Sequence, residues 1–102
     1  MSIKGYNMFC LFHSDLDPSC AAYYANRSAA LMMVEKFNKA LEDARKAFTL
    51  DSNFIKAYLR AAKCYIATGQ TNNAMMTLQT AQNLEPTNKS ISEEVGRQTY
   101  YD

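Results

Sequence analysis

No sign of charge dominates this chain of 102 residues: eleven Lys and Arg against ten Asp and Glu leave a formal net charge of +1. Such a balance exerts no overall pull on nucleic acid or on an anionic membrane, so any electrostatic function has to be local. Long apolar runs are missing as well. The segment after Lys4 reaches only MFCLF before His13, too short for a signal peptide or a transmembrane helix, and the chain is expected to be cytoplasmic. Cys10, Cys20 and Cys64 are the three cysteines, an odd number at irregular spacing, which argues against a disulfide framework and for reduced, mostly buried thiols. His13 is the single histidine. It stands near Cys10, but only the distant Cys20 and Cys64 remain to complete a metal site, and nothing orients it as a base toward a thiol. No metal, no cofactor and no catalytic group are expected; a metal- or thiol-dependent enzyme is kept only as the contrary reading.

What is present is the profile of one small folded domain, 48% hydrophobic and 21% charged, with room for a modest core. Its most informative stretch is Phe54 to Ala67, FIKAYLRAAKCYIA. Tyr58, Ala61, Ala62 and Tyr65 recur at three- and four-residue steps, the spacing of a buried helical face. Lys56, Arg60 and Lys63 recur at the same steps with no acid among them. A solvated stripe would normally mix signs, so this one is suited to an anionic partner.

Shifting the chain by 34 residues reveals a repeat: Tyr24 falls on Tyr58, Leu31 on Tyr65, Ala40 on Ala74, Ala47 on Ala81, Leu50 on Leu84 and Asp51 on Glu85. Each unit has room for two antiparallel helices. The pattern predicts helices at about 20–33, 36–50, 53–68 and 71–84, then a solubilising terminal helix at about 87–98. Asp51, Ser52 and Asn53 offer oxygens to cap the third helix, and Thr71 and Asn72 to cap the fourth. Gly69 stands where a chain leaving a helix turns left-handed. Ala40, Ala47, Ala74 and Ala81 sit seven apart within their helices, where paired helices approach closely. The pairs Met32-Met33 and Met75-Met76 read as core filling. In the terminal helix Ile91 and Val95 face inward and Ser90, Glu93, Glu94 and Arg97 face water, and with Gly96 and the tail Tyr100-Tyr101-Asp102 the chain is expected to fray by its end.

These positions resemble the tetratricopeptide repeat. Tyr24, Leu31, Ala40 and Ala47 match its signature in the first unit, and Tyr58, Tyr65, Gly69, Ala74, Ala81 and Pro86 in the second. The resemblance implies an all-α helix-hairpin solenoid, a right-handed superhelix with two full repeats over 21–54 and 55–88, a partial preceding helix within 1–18 and a capping helix and tail over 89–102. Glu35 stands where the family usually has Gly, which implies a strained turn. Arg27 and Ser28 replace a frequent Leu-Gly, and Ser52 a Pro.

In this family the first helix of each unit lines the concave surface, so Asn26 and Arg60, one unit apart, are expected in one groove with Lys56 a turn away. YYANRSAALM (23–32) and KAYLRAAKC (56–64) resemble the heat-shock cochaperone class, and most of all its DnaJ-type members. That resemblance implies non-enzymatic binding of the C-terminal Glu-Glu-Val-Asp tail of Hsp70 or Hsp90, with Asn26, Lys56 and Arg60 as the carboxylate-binding residues and Lys63 following the same stripe. Arg27, one step off, is expected to brace the neighbouring helix. An Asn inside a helix is poorly placed by propensity alone. Lys and Arg supply charge-assisted bonds to a carboxylate, and an amide binds peptide backbone.

The class also takes a lysine and an asparagine from a preceding repeat. The segment 5–18 offers Tyr6, Cys10 and His13 there instead, so tail binding is expected to be weak and salt-sensitive. A scaffold for another protein, or self-association through the N-terminal edge, is the alternative in the same architecture; no nucleic-acid or membrane partner is expected. Glu93-Glu94-Val95 is internal and lacks a terminal carboxylate, so it reads as part of a solvated helix.

The repeat register predicts that Ala40→Leu or Ala74→Leu destabilises the fold by about 1 to 3 kcal/mol through overpacking at a helix crossing. Thermal unfolding followed by circular dichroism checks this, and unchanged melting for both contradicts the register.

Overall fold

The computed structural model describes residues 20–101, with side chains described as far as Gln98. The helix expected between Ile3 and His13, and any role of Lys4, Tyr6, Cys10 or His13, lie outside the described residues.

The described residues form five helices: α1 (Ala21–Met33), α2 (Phe37–Leu50), α3 (Ile55–Ala67), α4 (Thr71–Leu84) and α5 (Lys89–Tyr101). All begin and end within three residues of the expected bounds, and α4 matches them at both ends. Each helix packs on the next in sequence, and α1 also lies against α3. Short turns fold α1 back on α2 and α3 back on α4, so the architecture is all-α, two helical hairpins closed by α5. No helix among the described residues is long and apolar enough to cross a membrane.

Small side chains set the helix spacing. Ala40, Ala47, Ala74 and Ala81 are wholly buried, as are Ala25, Ala44, Ala57, Ala61 and Ala62. Ala25, Ala47 and Ala57 join α1, α2 and α3 in one cluster, flanked by Tyr24, Phe48 and Phe54. Tyr58 stacks on Phe48 with ring centroids 4.4 Å apart and donates its hydroxyl to the Ser52 carbonyl at 2.7 Å. Ile91 and Val95 of α5 then close the outer side of the second hairpin over Tyr58, Ala81 and Leu78.

Several local expectations need correction. The third and fourth helices are not capped by side chains: Phe54 and Gln70 occupy the N-cap positions without a side-chain bond. Asp51 Oδ1 instead accepts the Asn53 N–H at 3.1 Å, folding the preceding turn, a local bond that competes with capping. The capped helix is α5, where Asn88 Oδ1 accepts the Ile91 N–H at 3.3 Å.

Met33 and Met76 are 85% and 68% exposed, because adjacent residues on a helix point about 100° apart and cannot share one buried face. Glu94 is buried rather than solvated. It lies three residues after Ile91, on the margin of the apolar stripe, and its carboxylate accepts bonds from Arg97 Nη2 and Gln98 Nε2. The last helix continues through Gly96 to Tyr101. Cys64 is a buried free thiol, and Cys20 is buried as well.

The two hairpin turns use opposite means to the same backbone shape. Gly69 has φ 79° and Glu35 has φ 62°, and both sit just past the end of the first helix of their hairpin. A left-handed residue there lets the next N–H groups bond back to the helix: Lys36 N reaches the Leu31 carbonyl at 2.9 Å and Gln70 N the Tyr65 carbonyl at 2.7 Å. Glycine adopts this conformation freely, and a side chain there costs about 1 kcal/mol. Glu35→Gly is therefore predicted to stabilise the protein by about 1 kcal/mol and Gly69→Ala to destabilise it by about as much. Chemical denaturation of the two variants measures both, and shifts of the same sign contradict the account of the turns.

Candidate functional site

Asn26 comes from the middle of α1, Lys56 and Arg60 from the first two turns of α3. The packing of α1 against α3 brings these three side chains to one cleft of about 290 Å³, also lined by Ala22, Asn53, Phe54, Ile55 and Glu85. Asn26 and Lys56 are exposed and make no hydrogen bond or ion pair with the described residues. Arg60 is half-buried and donates from Nη1 to the Ala25 carbonyl at 2.8 Å, which fixes the guanidinium at the seam between the two helices. Burial pulls the Arg60 guanidinium below its ordinary value. Its Nε and Nη2 hydrogens have no partner among the described residues. Lys63, a turn beyond Arg60, is exposed and does not line this cleft.

Arg27 serves a different end. Its Nε and Nη2 donate to the two Asp43 oxygens at 2.7 and 2.9 Å, and Nη1 donates to the Tyr23 hydroxyl at 2.6 Å. The fork clamps α1 to α2, and the Asp43 bond above all holds the Arg27 guanidinium well above its usual range. One residue along, Ser28 is fully buried and donates to the Ala40 carbonyl at 2.7 Å. Arg27 and Ser28, the departures from the family pattern, are thus a clamp between the two helices. Cys64 is not poised for thiol chemistry, since burial pushes it up to about 11.

Ala22, Asn53 and Glu85 are cleft residues that sequence reasoning did not single out. Ala22 is the 34-residue counterpart of Lys56, so its place in the groove follows from the register. Glu85 is the counterpart of Asp51, a position that reads as a turn end and gives no sign of facing the groove. Chemically, the cleft offers two cations, two carboxamides and one acid beside the apolar Phe54 and Ile55, the makings of a site for a short anionic peptide segment.

A family model described as tetratricopeptide repeat matches residues 31–92. Among curated proteins, the mouse (Mus musculus) DnaJ homolog subfamily C member 7 is 38% identical over 80 residues, which is 78% of this chain and 16% of that protein. Serine/threonine-protein phosphatase 5 of Rattus norvegicus is 37% identical over 89 residues, 84% of this chain and 18% of that protein. The chain thus spans less than a fifth of these relatives. Among solved structures, the Arabidopsis OM64 TPR domain superposes with a TM-score of 0.74 at 32% identity, covering 80% of this chain and 68% of that one. The second TPR domain of human RPAP3, determined in complex with the HSP70 peptide SGPTIEEVD, superposes with a TM-score of 0.73 at 30% identity, covering 78% of this chain and 66% of that one.

The Arg27–Asp43 clamp generates a prediction that separates scaffold from site. Asp43→Ala is expected to cost about 1 to 2 kcal/mol of stability, the scale of a bond to a charged group in a partly exposed pair. Urea unfolding measures this, and stability equal to the parent's contradicts the bracing role.

Proposed function

The chain belongs to the tetratricopeptide repeat family, a protein-interaction family that includes its cochaperone relatives, and from that membership we propose that it binds peptides that end in a free carboxylate, without catalysing a reaction. The observation that carries the proposal is the meeting of Asn26, Lys56 and Arg60 in one cleft. On this reading the ligand is a chaperone tail of the Glu-Glu-Val-Asp type, and the setting is a cytoplasmic cochaperone. Support comes from the RPAP3 domain, whose fold this chain shares and which is solved with an HSP70 peptide of that ending. The repeat units run over 21–54 and 55–88, with 89–102 as the cap.

Each residue has a part in the proposal. Lys56, exposed and without a partner among the described residues, supplies a mobile cation to the terminal carboxylate. Arg60 stays tied to the Ala25 carbonyl through Nη1 and presents Nε and Nη2 as a pre-set fork. The Asn26 carboxamide pairs with peptide backbone, having a donor and an acceptor. Lys63, outside the cleft, extends the positive field toward the body of the ligand and acts through salt-screened attraction rather than contact.

Calorimetric titration with SGPTIEEVD and with the same peptide amidated at its C-terminus tests the proposal. The free acid is expected to bind and the amide not. Lys56→Ala is expected to weaken binding by about 1.5 to 3 kcal/mol with helical content unchanged. Arg60→Ala is expected to weaken it on the same scale, with a small loss of stability as the bond to Ala25 goes. Equal affinity for acid and amide, or a Lys56→Ala protein that binds like the parent, contradicts the proposal.

A further inference from the structure

The cleft holds an acid alongside its two cations. Glu85, the first residue past α4, lines it with Lys56 and Arg60, yet neither cation comes within ion-pair distance of its carboxylate, the pairs among the described residues being Arg27–Asp43 and Arg97–Glu94. Glu85 is exposed, and no direct contact with a cation among the described residues cancels its charge. The carboxylate is also held in place. Its Oε1 accepts a bond from Asn88 Nδ2 at 2.8 Å, and Asn88 is itself fixed as the cap of α5 through its Oδ1 bond to the Ile91 N–H. Oε2 has no partner among the described residues.

We infer that Glu85 tempers the pull of the cleft on ligand acids other than the terminal carboxylate, so that a tail with acids beside its end, the Glu-Glu-Val-Asp type included, is held less tightly than Lys56 and Arg60 alone would hold it. The inference deepens the peptide-binding reading and rests on it. A terminal carboxylate is drawn to Lys56 and Arg60. A second ligand carboxylate that enters the same small cleft meets the fixed charge of Glu85, and like charges brought together act as a repulsive element against that partner. A backbone N–H, hydroxyl or carboxamide at the same place finds in Oε2 an acceptor instead.

A turn-building role alone does not account for this placement. Asp51, the counterpart of Glu85 one unit earlier, bonds the Asn53 N–H in its own turn and does not line the cleft. The two roles also separate by substitution. Glu85→Gln keeps an oxygen for Asn88 Nδ2, and so the turn, while removing the charge.

The experiment titrates the parent and Glu85→Gln with two nonapeptides carrying free C-termini, SGPTIEEVD and SGPTIQQVN, at low and at physiological salt. Glu85→Gln is expected to tighten the acidic peptide about threefold to tenfold at low salt, the scale for exposed charges, with the gain shrinking as salt is added. Affinity for SGPTIQQVN is expected to stay within about twofold of the parent's or to fall, because its one carboxylate is the terminal one, held at Lys56 and Arg60, and no further acid meets the charge. An equal change for both peptides, or none for the acidic one, overturns the role of Glu85 and leaves the peptide-binding reading standing. If neither folded protein binds either peptide, that reading falls and the inference with it.

Discussion

Alanine meets alanine where the first three helices pack together and where α3 packs on α4. Ala25, Ala40, Ala44, Ala47, Ala57, Ala61, Ala62, Ala74 and Ala81 are all shut off from water, and this close approach is the constraint on which the remaining geometry depends. Each methyl group contributes little, on the order of 0.8 kcal/mol of transfer energy. The larger contribution falls to a few side chains between the crossings: Leu78 and Ile91, fully buried, and the stacked pair of Phe48 and Tyr58. A core so divided fixes spacing through the small residues and cohesion through the large ones. The cleft inherits the spacing, since Arg60 Nη1 reaches the Ala25 carbonyl only while α1 and α3 lie close.

The two arginines on the inner helices show how one side chain serves two ends. Arg27 spends its fork on Asp43 and Tyr23 and locks α1 to α2. Arg60 uses one hydrogen on a backbone carbonyl, which orients the guanidinium without neutralising it. A carbonyl carries no net charge to cancel, so the positive field of Arg60 stays available in the cleft beside Lys56. That difference in partner, acid against carbonyl, is what makes Arg27 part of the scaffold and Arg60 part of the candidate site.

Much of the architecture was legible because it rests on spacing. The 34-residue recurrence placed the helices, the buried alanines and the left-handed Gly69, and the substitution of Glu for Gly at position 35 pointed to the positive φ found there. The residue types also foretold the bracing by Arg27. What escaped depends on side-chain direction or on bonds between neighbouring turns. Asp51 folds its own turn rather than capping α3, Asn88 caps α5, and Glu94 is buried by two donors from its own helix. Periodicity could not separate Met32 from Met33 or Met75 from Met76 by pairing alone. In the cleft, Asn26, Lys56 and Arg60 were readable from register, whereas Glu85 belongs to a turn whose path the repeat does not specify, and Lys63 followed the stripe on paper but falls outside the cleft.

The proposed site holds a ligand carboxylate between α1 and α3. Two-dimensional NMR of the side-chain nitrogens during titration with a carboxylate-terminated peptide reads this directly. The Asn26 carboxamide and the Arg60 Nε–H are predicted to shift progressively and in step, while the Arg27 Nε–H, bonded to Asp43, stays in place. Shifts confined to Arg27 or to α2 and α4, with Asn26 and Arg60 silent at saturation, would contradict the claim.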